Sequence, residues 1–307
     1  ELPLNLDLTP EFVQFFKLME DTDLNMFLTG KAGSGKSTLL EYFRQNTSKN
    51  HVILAPTGIA AIKAKGQTIH SFFKFPPRVI QETDVKILKE QKLIKNLDTI
   101  LIDEASMIRA DMLDAIDKSL KKNRKNIKPF GGVQLILIGD LFQLPPVVSS
   151  DARDAMEQLY PDGPYFFNSN IFNEENIKMF ELTKIFRQRE ENFINLLNKI
   201  RISKVSQKDL DLINERVVDF EEDFPEGVII LSPKNIKVDQ INKYNLNKIE
   251  NEMYEYIAEI KGTFKDSIVD ECLKLKVGAQ IMLVKNDLNT PRRWVNGTLG
   301  IIERLEK

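Results

Sequence analysis

Cysteine and histidine are nearly missing from this sequence: of 307 residues only Cys272, His51 and His70 belong to either type. One thiol excludes an internal disulfide, and three such side chains cannot fill a four-ligand structural zinc site. No run reaches the roughly eighteen apolar residues that a membrane-spanning helix needs. The first residues carry Glu1 and Asp7, without a basic stretch ahead of an apolar one, so they do not read as a signal peptide. No membrane partner is expected, and the expected location is the bacterial cytoplasm and nucleoid, or the nucleus or mitochondrion of a eukaryote. Basic residues are not in excess either: 43 Lys and Arg face 45 Asp and Glu, a net charge of -2. That balance argues against coating a polyanion by bulk attraction, though it leaves room for a local basic groove. The densest basic run, Lys118, Lys121, Lys122, Arg124, Lys125 and Lys128, reads as a solvated helix end and receives no role.

What is present is a chain 42% hydrophobic and 29% charged, long enough for two domains that each bury a core. Helical spacing of Phe12, Phe15, Phe16 and Met19 predicts an amphipathic opening helix. Four apolar strands follow, each running into a turn: Asn25 to Thr29, His51 to Ala55, Thr99 to Ile102 and Val133 to Ile138. Strands alternating with helices predict an α/β fold with a mainly parallel sheet. From Phe72 to about Lys95 the rhythm breaks, and these residues read as a small insertion packed on the sheet domain. A first domain is expected over 1–179 and a second over 180–307. Within the second, strands are expected at Val228 to Leu231, Val277 to Val284 and Thr298 to Ile302.

The chemistry concentrates after three of these strands. Gly30, Lys31, Ala32, Gly33, Ser34, Gly35, Lys36 and Ser37, with Thr38 next, fit the phosphate-loop pattern in full and sit between a strand and a helix. Glycines let backbone amides face the phosphates, the helix amino terminus adds a positive dipole end, Lys36 reaches the β and γ phosphates, and the Ser37 hydroxyl ligates magnesium. ATP and Mg2+ are the expected ligands. Asp103 closes the strand Thr99 to Ile102, where a carboxylate can hold hydrated magnesium, and Glu104 beside it suits a general base acting on the attacking water. After the next strand come Gly139, Asp140, Gln143, Pro145 and Pro146, where the neutral Gln143 can hydrogen-bond the γ phosphate or the water. On the residues alone Pro56-Thr57-Gly58 can be a plain helix-capping turn and His70 a satisfied loop or core histidine, while Phe72, Phe73 and Phe75 can stack on bases or form the insertion's core, core being favoured for Phe73 and Phe75.

These segments and their order resemble superfamily-one helicases, and in detail the PIF family, the petite integration frequency helicases related to RecD. The likeness is carried by Ala55-Pro56-Thr57-Gly58-Ile59-Ala60-Ala61, Gln67-Thr68-Ile69-His70-Ser71-Phe72, Asp103-Glu104-Ala105-Ser106-Met107, Gly139-Asp140-Leu141-Phe142-Gln143-Leu144-Pro145-Pro146 and Glu181-Leu182-Thr183-Lys184-Ile185-Phe186-Arg187-Gln188. It covers nearly the whole chain. It implies RecA-like P-loop motor domains and an ATP-dependent 5′-to-3′ DNA helicase working as a monomer on single-stranded, forked or folded DNA. Pro56, Thr57, Gly58, His70, Ser71 and Phe72 then belong to the DNA strand's path, Arg187 becomes an arginine finger, and Gln14 is the candidate for the adenine. The family's late motifs do not occur before Lys307, so the second motor domain is expected to be incomplete. Val295, Asn296 and Gly297 precede the point where the family inserts a small barrel, so that barrel is expected to be absent or incomplete. Two other readings stay open on the residues alone: a fragment that binds nucleotide and single-stranded DNA without unwinding, and a P-loop ATPase with a partner other than nucleic acid.

Overall fold

The computed structural model describes the chain apart from residues 1–8, 32, 90, 176, 184–190, 219–226, 261–269, 285–286, 288–292, 295–296 and 307. It divides into two compact units, Glu1–Ile213 and Asn214–Lys307.

In the first unit, helix α1 (Pro10–Asp21) starts where Thr9 Oγ1 accepts from the Phe12 amide at 3.2 Å, with Pro10 in the first turn. Both features suit a helix start, the first by satisfying a free amide and the second by fixing φ without losing a needed donor. Six strands form one parallel sheet: β1 (Met26–Gly30), β2 (His51–Ala55), β3 (Gln67–Thr68), β4 (Thr99–Ile102), β5 (Gln134–Ile138) and β6 (Lys178–Leu182), in the order β3-β2-β4-β5-β1-β6. The central strands β1, β4 and β5 are buried at every position. Both faces are covered, which is why these strands read as continuous apolar runs rather than alternating ones.

Alternate residues serve two cores. Met26, Leu28, Ile136 and Ile138 pack with Phe12, Phe15 and Met19 of α1 and with Leu39, Leu40 and Phe43 of α2 (Lys36–Asn46). Phe27, Leu135 and Leu137 point to the opposite face. There lie α4 (Ile69–Phe73), α5 (Gln91–Lys95) and the long α6 (Ala110–Arg124), which gives Met112, Leu113, Ala115, Ile116 and Leu120 to that core, while Ala60 and Ala61 of α3 (Gly58–Lys63) form a small cluster of their own with Ala55. The short helices α7 (Arg153–Leu159) and α8 (Asn170–Glu174) lead to β6, and α9 (Glu191–Arg201) and α10 (Gln207–Asn214) follow it.

The segment 72–95 does pack on the sheet domain. Phe73 and Phe75 are buried with their rings stacked 5.3 Å apart, and Ile80, Val85, Leu88 and Ile94 join the same core. Polar side chains of α6 hold this segment's backbone. Asp111 accepts from the Ile80 amide, Asn123 from the Leu88 amide, Lys122 donates to the Val85 carbonyl, and Arg124 donates to the carbonyls of Ile94 and Leu97. Lys121 pairs with Asp117 at 2.7 Å. Much of the basic run is therefore occupied within the domain, in keeping with its having no assigned partner.

Two expectations need correction. The boundary expected at 179/180 falls inside β6, which pairs with β1 from Met26↔Lys178 to Gly30↔Leu182, so those residues complete the first sheet. The stretch Val228 to Leu231 is apolar but forms no strand: Val228, Ile229 and Leu231 are exposed, and no ladder partner is among the described residues. A strand exists only through its neighbour's hydrogen bonds, which an apolar run does not guarantee. The described residues of the second unit form α11 (Asn235–Lys248) and two antiparallel pairs. These are β7 (Met253–Ile257) with β8 (Cys272–Lys276), and β9 (Gln280–Met282) with β10 (Leu299–Ile301).

Gly66 sets the entry to β3 and hence to the segment 67–72. Its amide donates to the Ala61 carbonyl at 2.8 Å, and a Cβ at this position would meet the Ile53 carbonyl oxygen at 2.2 Å. Backbone of a buried strand cannot step aside, so Gly66→Ala should cost about 1–3 kcal/mol, the range for overpacking. Thermal unfolding of the variant checks this; an unchanged midpoint would mean that the approach relaxes without cost.

Candidate nucleotide and DNA site

Every segment singled out for chemistry, apart from Gln14 on α1 and Arg187, leaves the carboxyl end of a strand in the one sheet. The phosphate loop follows β1, Asp140 follows β5, and Asp103 and Glu104 follow β4. Pro56 to Gly58 follow β2, and Ile69 to Phe72 follow β3. In open parallel sheets ligands bind in the crevice outside that edge. The order matters in detail: β5 lies between β4 and β1. Asp103 is therefore one strand further from the phosphate loop than direct adjacency would place it, and Asp140 stands between them.

The loop has the form of an anion cradle. Gly33 and Gly35 have φ of 79° and 93°, a region that only glycine enters freely. At Gly30 a Cβ would fall 2.6 Å from Ser34 Oγ and 2.8 Å from the Leu182 carbonyl oxygen. The Ser34 hydroxyl is buried without a hydrogen-bond partner. Buried polar groups are almost always paired, so this one fits a ligand that brings acceptors. Lys36 Nζ folds back on the loop, donating to the carbonyls of Gly30 at 2.6 Å and Lys31 at 3.1 Å. Burial pulls its pKa below the ordinary lysine range, against the opposing pull of Asp140, Glu104 and Asp103. Ser37 and Thr38 lie in the first turn of α2, with Ser37 exposed and Thr38 half-buried. Ala32 is outside the described residues.

Asp103 is buried, and its Oδ1 accepts from the Glu104 amide at 3.0 Å. Glu104 sits at φ 52° and ψ 43°, a left-handed conformation that a non-glycine residue adopts at a cost. This turns its side chain out of the line of β4. Burial raises the pKa of both acids, and for Glu104 the Asp103 charge adds to the rise. Such raised values are typical of groups that exchange protons in a reaction. Gly139 lets β5 approach this turn closely: a Cβ there would lie 2.9 Å from the Ala105 nitrogen. Gln143 is exposed on the loop after β5, with its amide donating to the Asp140 carbonyl at 2.9 Å.

On the other flank, Thr57 Oγ1 accepts from the Ala60 amide and caps α3, so the capping turn is real. Pro56 is half-buried and Gly58 exposed. His70 Nδ1 lies 3.2 Å from the Phe75 carbonyl, and burial lowers its pKa. A neutral ring donating to that carbonyl satisfies the histidine locally. Ser71 is exposed, while Phe72 is half-buried and packs edge-on against Phe73 at 4.8 Å. Gln14 is exposed on α1, and Arg187 lies outside the described residues.

Sequence reasoning missed three side chains. Ser106, buried beside the acids, has a hydroxyl without a partner. Lys63 of α3 exerts a favourable charge on Asp103 and Glu104. Arg201 pairs with Asp140. Ser106 was within reach, two residues from Glu104; nothing local marks the other two.

The cradle, the lysine and the acids on one sheet edge make the first unit a P-loop nucleotide-binding domain. The chain belongs to the PIF1-like helicases: the PIF1-like helicase family model matches residues 13–211, and the model of the DNA helicase Pif1 2B domain matches residues 264–305. The second match begins at 264, ahead of the insertion point expected after Gly297, and so corrects the expectation that the barrel is absent. The chain is 32% identical, over 97% of its length, to the ATP-dependent DNA helicase Pif1 of Bdellovibrio bacteriovorus, of which it covers 67%. A structure described as two coordinating Pif1 helicases unwinding forked duplex DNA superposes with a TM-score of 0.84 at 40% identity, covering 98% of this chain and 72% of that one. The Bacteroides Pif1 helicase with ADP-AlF3 and single-stranded DNA gives 0.83 at 39% identity, covering 99% of this chain and 71% of that one. Among curated relatives the coverage of their own length falls as low as 32%.

Proposed function

We propose that this chain is the motor part of an ATP-dependent 5′-to-3′ DNA helicase that steps along single-stranded DNA and opens forked or folded DNA. The observation that carries this reading is the shared sheet edge, with the nucleotide cradle after β1 and the candidate DNA segments after β2 and β3. ATP enters the cradle of Gly30 to Thr38, where Lys36 leaves its loop carbonyls for the phosphates and Gln14 is placed to meet the adenine. Bound magnesium supplies neutralising charge to the phosphates, and Ser37 and Asp103 are the residues to hold it. Glu104 accepts the proton of the attacking water, Gln143 orients it, and Arg187 contributes fixed positive charge to the transition state. Pro56, Thr57, Gly58, His70, Ser71 and Phe72 track the strand. Residues 214–307 belong to a second RecA-like domain and its 2B insertion, and the segment 72–95 is placed to meet the duplex. The active unit is a monomer, working in whichever compartment holds the DNA; no described helix is long and apolar enough to cross a membrane.

A second reading follows from coverage: the chain spans between 32% and 67% of the curated relatives cited above, so it can hold nucleotide and strand without unwinding. Steady-state ATP hydrolysis with magnesium, with and without a short single-stranded DNA, tests both, alongside fluorescence anisotropy of the same strand. Stimulated hydrolysis is expected. Binding without stimulation would favour the second reading, and neither effect would return the site to an ATPase with another partner.

A further inference from the structure

Asp140 has no place in the reading above, yet it is the acid nearest the phosphate loop in strand order. It is 2% exposed, and a helix far along the chain supplies its counter-charge. Arg201, the last residue of α9, meets it with both Nη2 and Nε: Nη2 lies 3.0 Å from Oδ1, and Nε lies 3.2 and 3.3 Å from the two oxygens. The guanidinium also lies over the Phe142 ring, 4.3 Å from its centroid. Planar, permanently charged arginine suits both contacts at once, a two-point carboxylate pair and an aromatic face, where lysine would make only a point contact. Oδ1 additionally accepts from the Phe142 amide at 3.1 Å, so the same carboxylate shapes the turn that carries Gln143.

The surroundings give this pair a second consequence. Asp103, Glu104 and Asp140 all draw on the positive charge of Lys36, and Arg201 acts on Lys36 with the opposite sign. Three carboxylates around one ammonium compete with a phosphate for it. Arg201 removes one of the three from that competition.

We propose that Arg201 is a positioning residue that masks the charge of Asp140, keeping Lys36 available to the ATP phosphates and the Gln143 turn in place. The inference rests on the nucleotide-site reading. Without the mask, Asp140 turns toward Lys36 and repels the incoming phosphates. Because α9 begins shortly after Arg187 in sequence, the mask also ties the helix that follows that arginine to the turn after β5.

The test is binding of a fluorescent ATP analogue with magnesium to the full chain, with thermal unfolding recorded for each variant. R201Q keeps a planar end group but loses the charge, and should weaken binding about ten-fold, within the span typical of coupling between charged groups and a ligand site. R201K keeps the charge and should bind within about two-fold of the unaltered chain, the difference reflecting the lost fork. The double variant R201Q/D140N should recover most of the loss. There the charge needing a mask is gone, while the side-chain oxygen left at position 140 still accepts from the Phe142 amide. A merely structural role for Arg201 would instead lower the melting temperature of R201Q and leave its affinity, measured well below that temperature, unchanged. Equal binding by R201Q and the unaltered chain would overturn the proposal, as would R201Q/D140N binding no better than R201Q. An unaltered chain that binds no ATP analogue would overturn the nucleotide site itself and the proposal with it.

Discussion

Lys36→Ala should abolish measurable ATP turnover while leaving the protein folded. The side chain makes two hydrogen bonds, both to carbonyls of its own loop, Gly30 and Lys31. Among the described residues it holds no other part of the fold. Hydrogen bonds of this kind contribute about 1 kcal/mol each to stability, so the melting temperature should move by only a few degrees. Alanine is also a good helix former at the start of α2. The catalytic loss has a different scale. Lys36 is the cation that the phosphate loop places at the opening of α2, and a half-buried, preorganised charge acts strongly because part of its water is already removed. Loss of one such stabilising donor typically costs about a hundred- to a thousand-fold in kcat. Hydrolysis at saturating ATP, read beside a melting curve, checks both halves. Retained turnover with an intact fold would remove this loop as the phosphate site; loss of turnover with loss of fold would mean that the ammonium is structural.

The parts of this protein that could be read from its sequence are those where chemistry is contiguous. Gly30 to Ser37 form a cradle because the glycines and the lysine are neighbours along the chain, and the same holds for Asp103 and Glu104. Phe73 and Phe75 were legible as core because apolar residues in a broken, proline-marked stretch still need burial, and α6 provides it. What could not be read depends on strands that come together late. β6 looks from its sequence like the start of a new unit, since a connection rich in proline and asparagine precedes it, yet its hydrogen bonds go to β1. The Val228 to Leu231 stretch has strand composition without a partner among the described residues. Arg201 and Asp140 are 61 residues apart, and nothing in the local context of either names the other, so only the fold reveals that they share a charge. The basic run of α6 shows the converse: a cluster obvious in sequence proves to be largely occupied by backbone carbonyls and by Asp117.

Glu104→Gln should separate binding from chemistry. The amide keeps the shape of the side chain, and the residue's own backbone amide still donates to Asp103, so the left-handed turn at φ 52° persists with its strain unchanged. What disappears is a group able to take a proton. General-base catalysis is commonly worth about a hundred- to ten-thousand-fold, and kcat should fall by that order while ATP binding is kept or tightened, one negative charge having left the site. The pH dependence carries a second check. Burial raises the pKa of Glu104, and the Asp103 charge raises it further, so protonation sets in above the ordinary carboxylate range. The acid limb of kcat should lie correspondingly high and vanish in the variant. Stability should move the other way. An acid whose pKa is raised by folding holds its proton more tightly folded than unfolded. Its ionisation therefore costs stability as pH rises from the unfolded pKa through the folded one, and the cost is complete at neutral pH. Glutamine has no such cost, so the variant should melt slightly higher than the unaltered chain at neutral pH, and the difference should shrink in acid. A variant that turns over ATP at the original rate would move the base to Asp103 or Asp140, and an unchanged acid limb would show that Glu104 never controlled it.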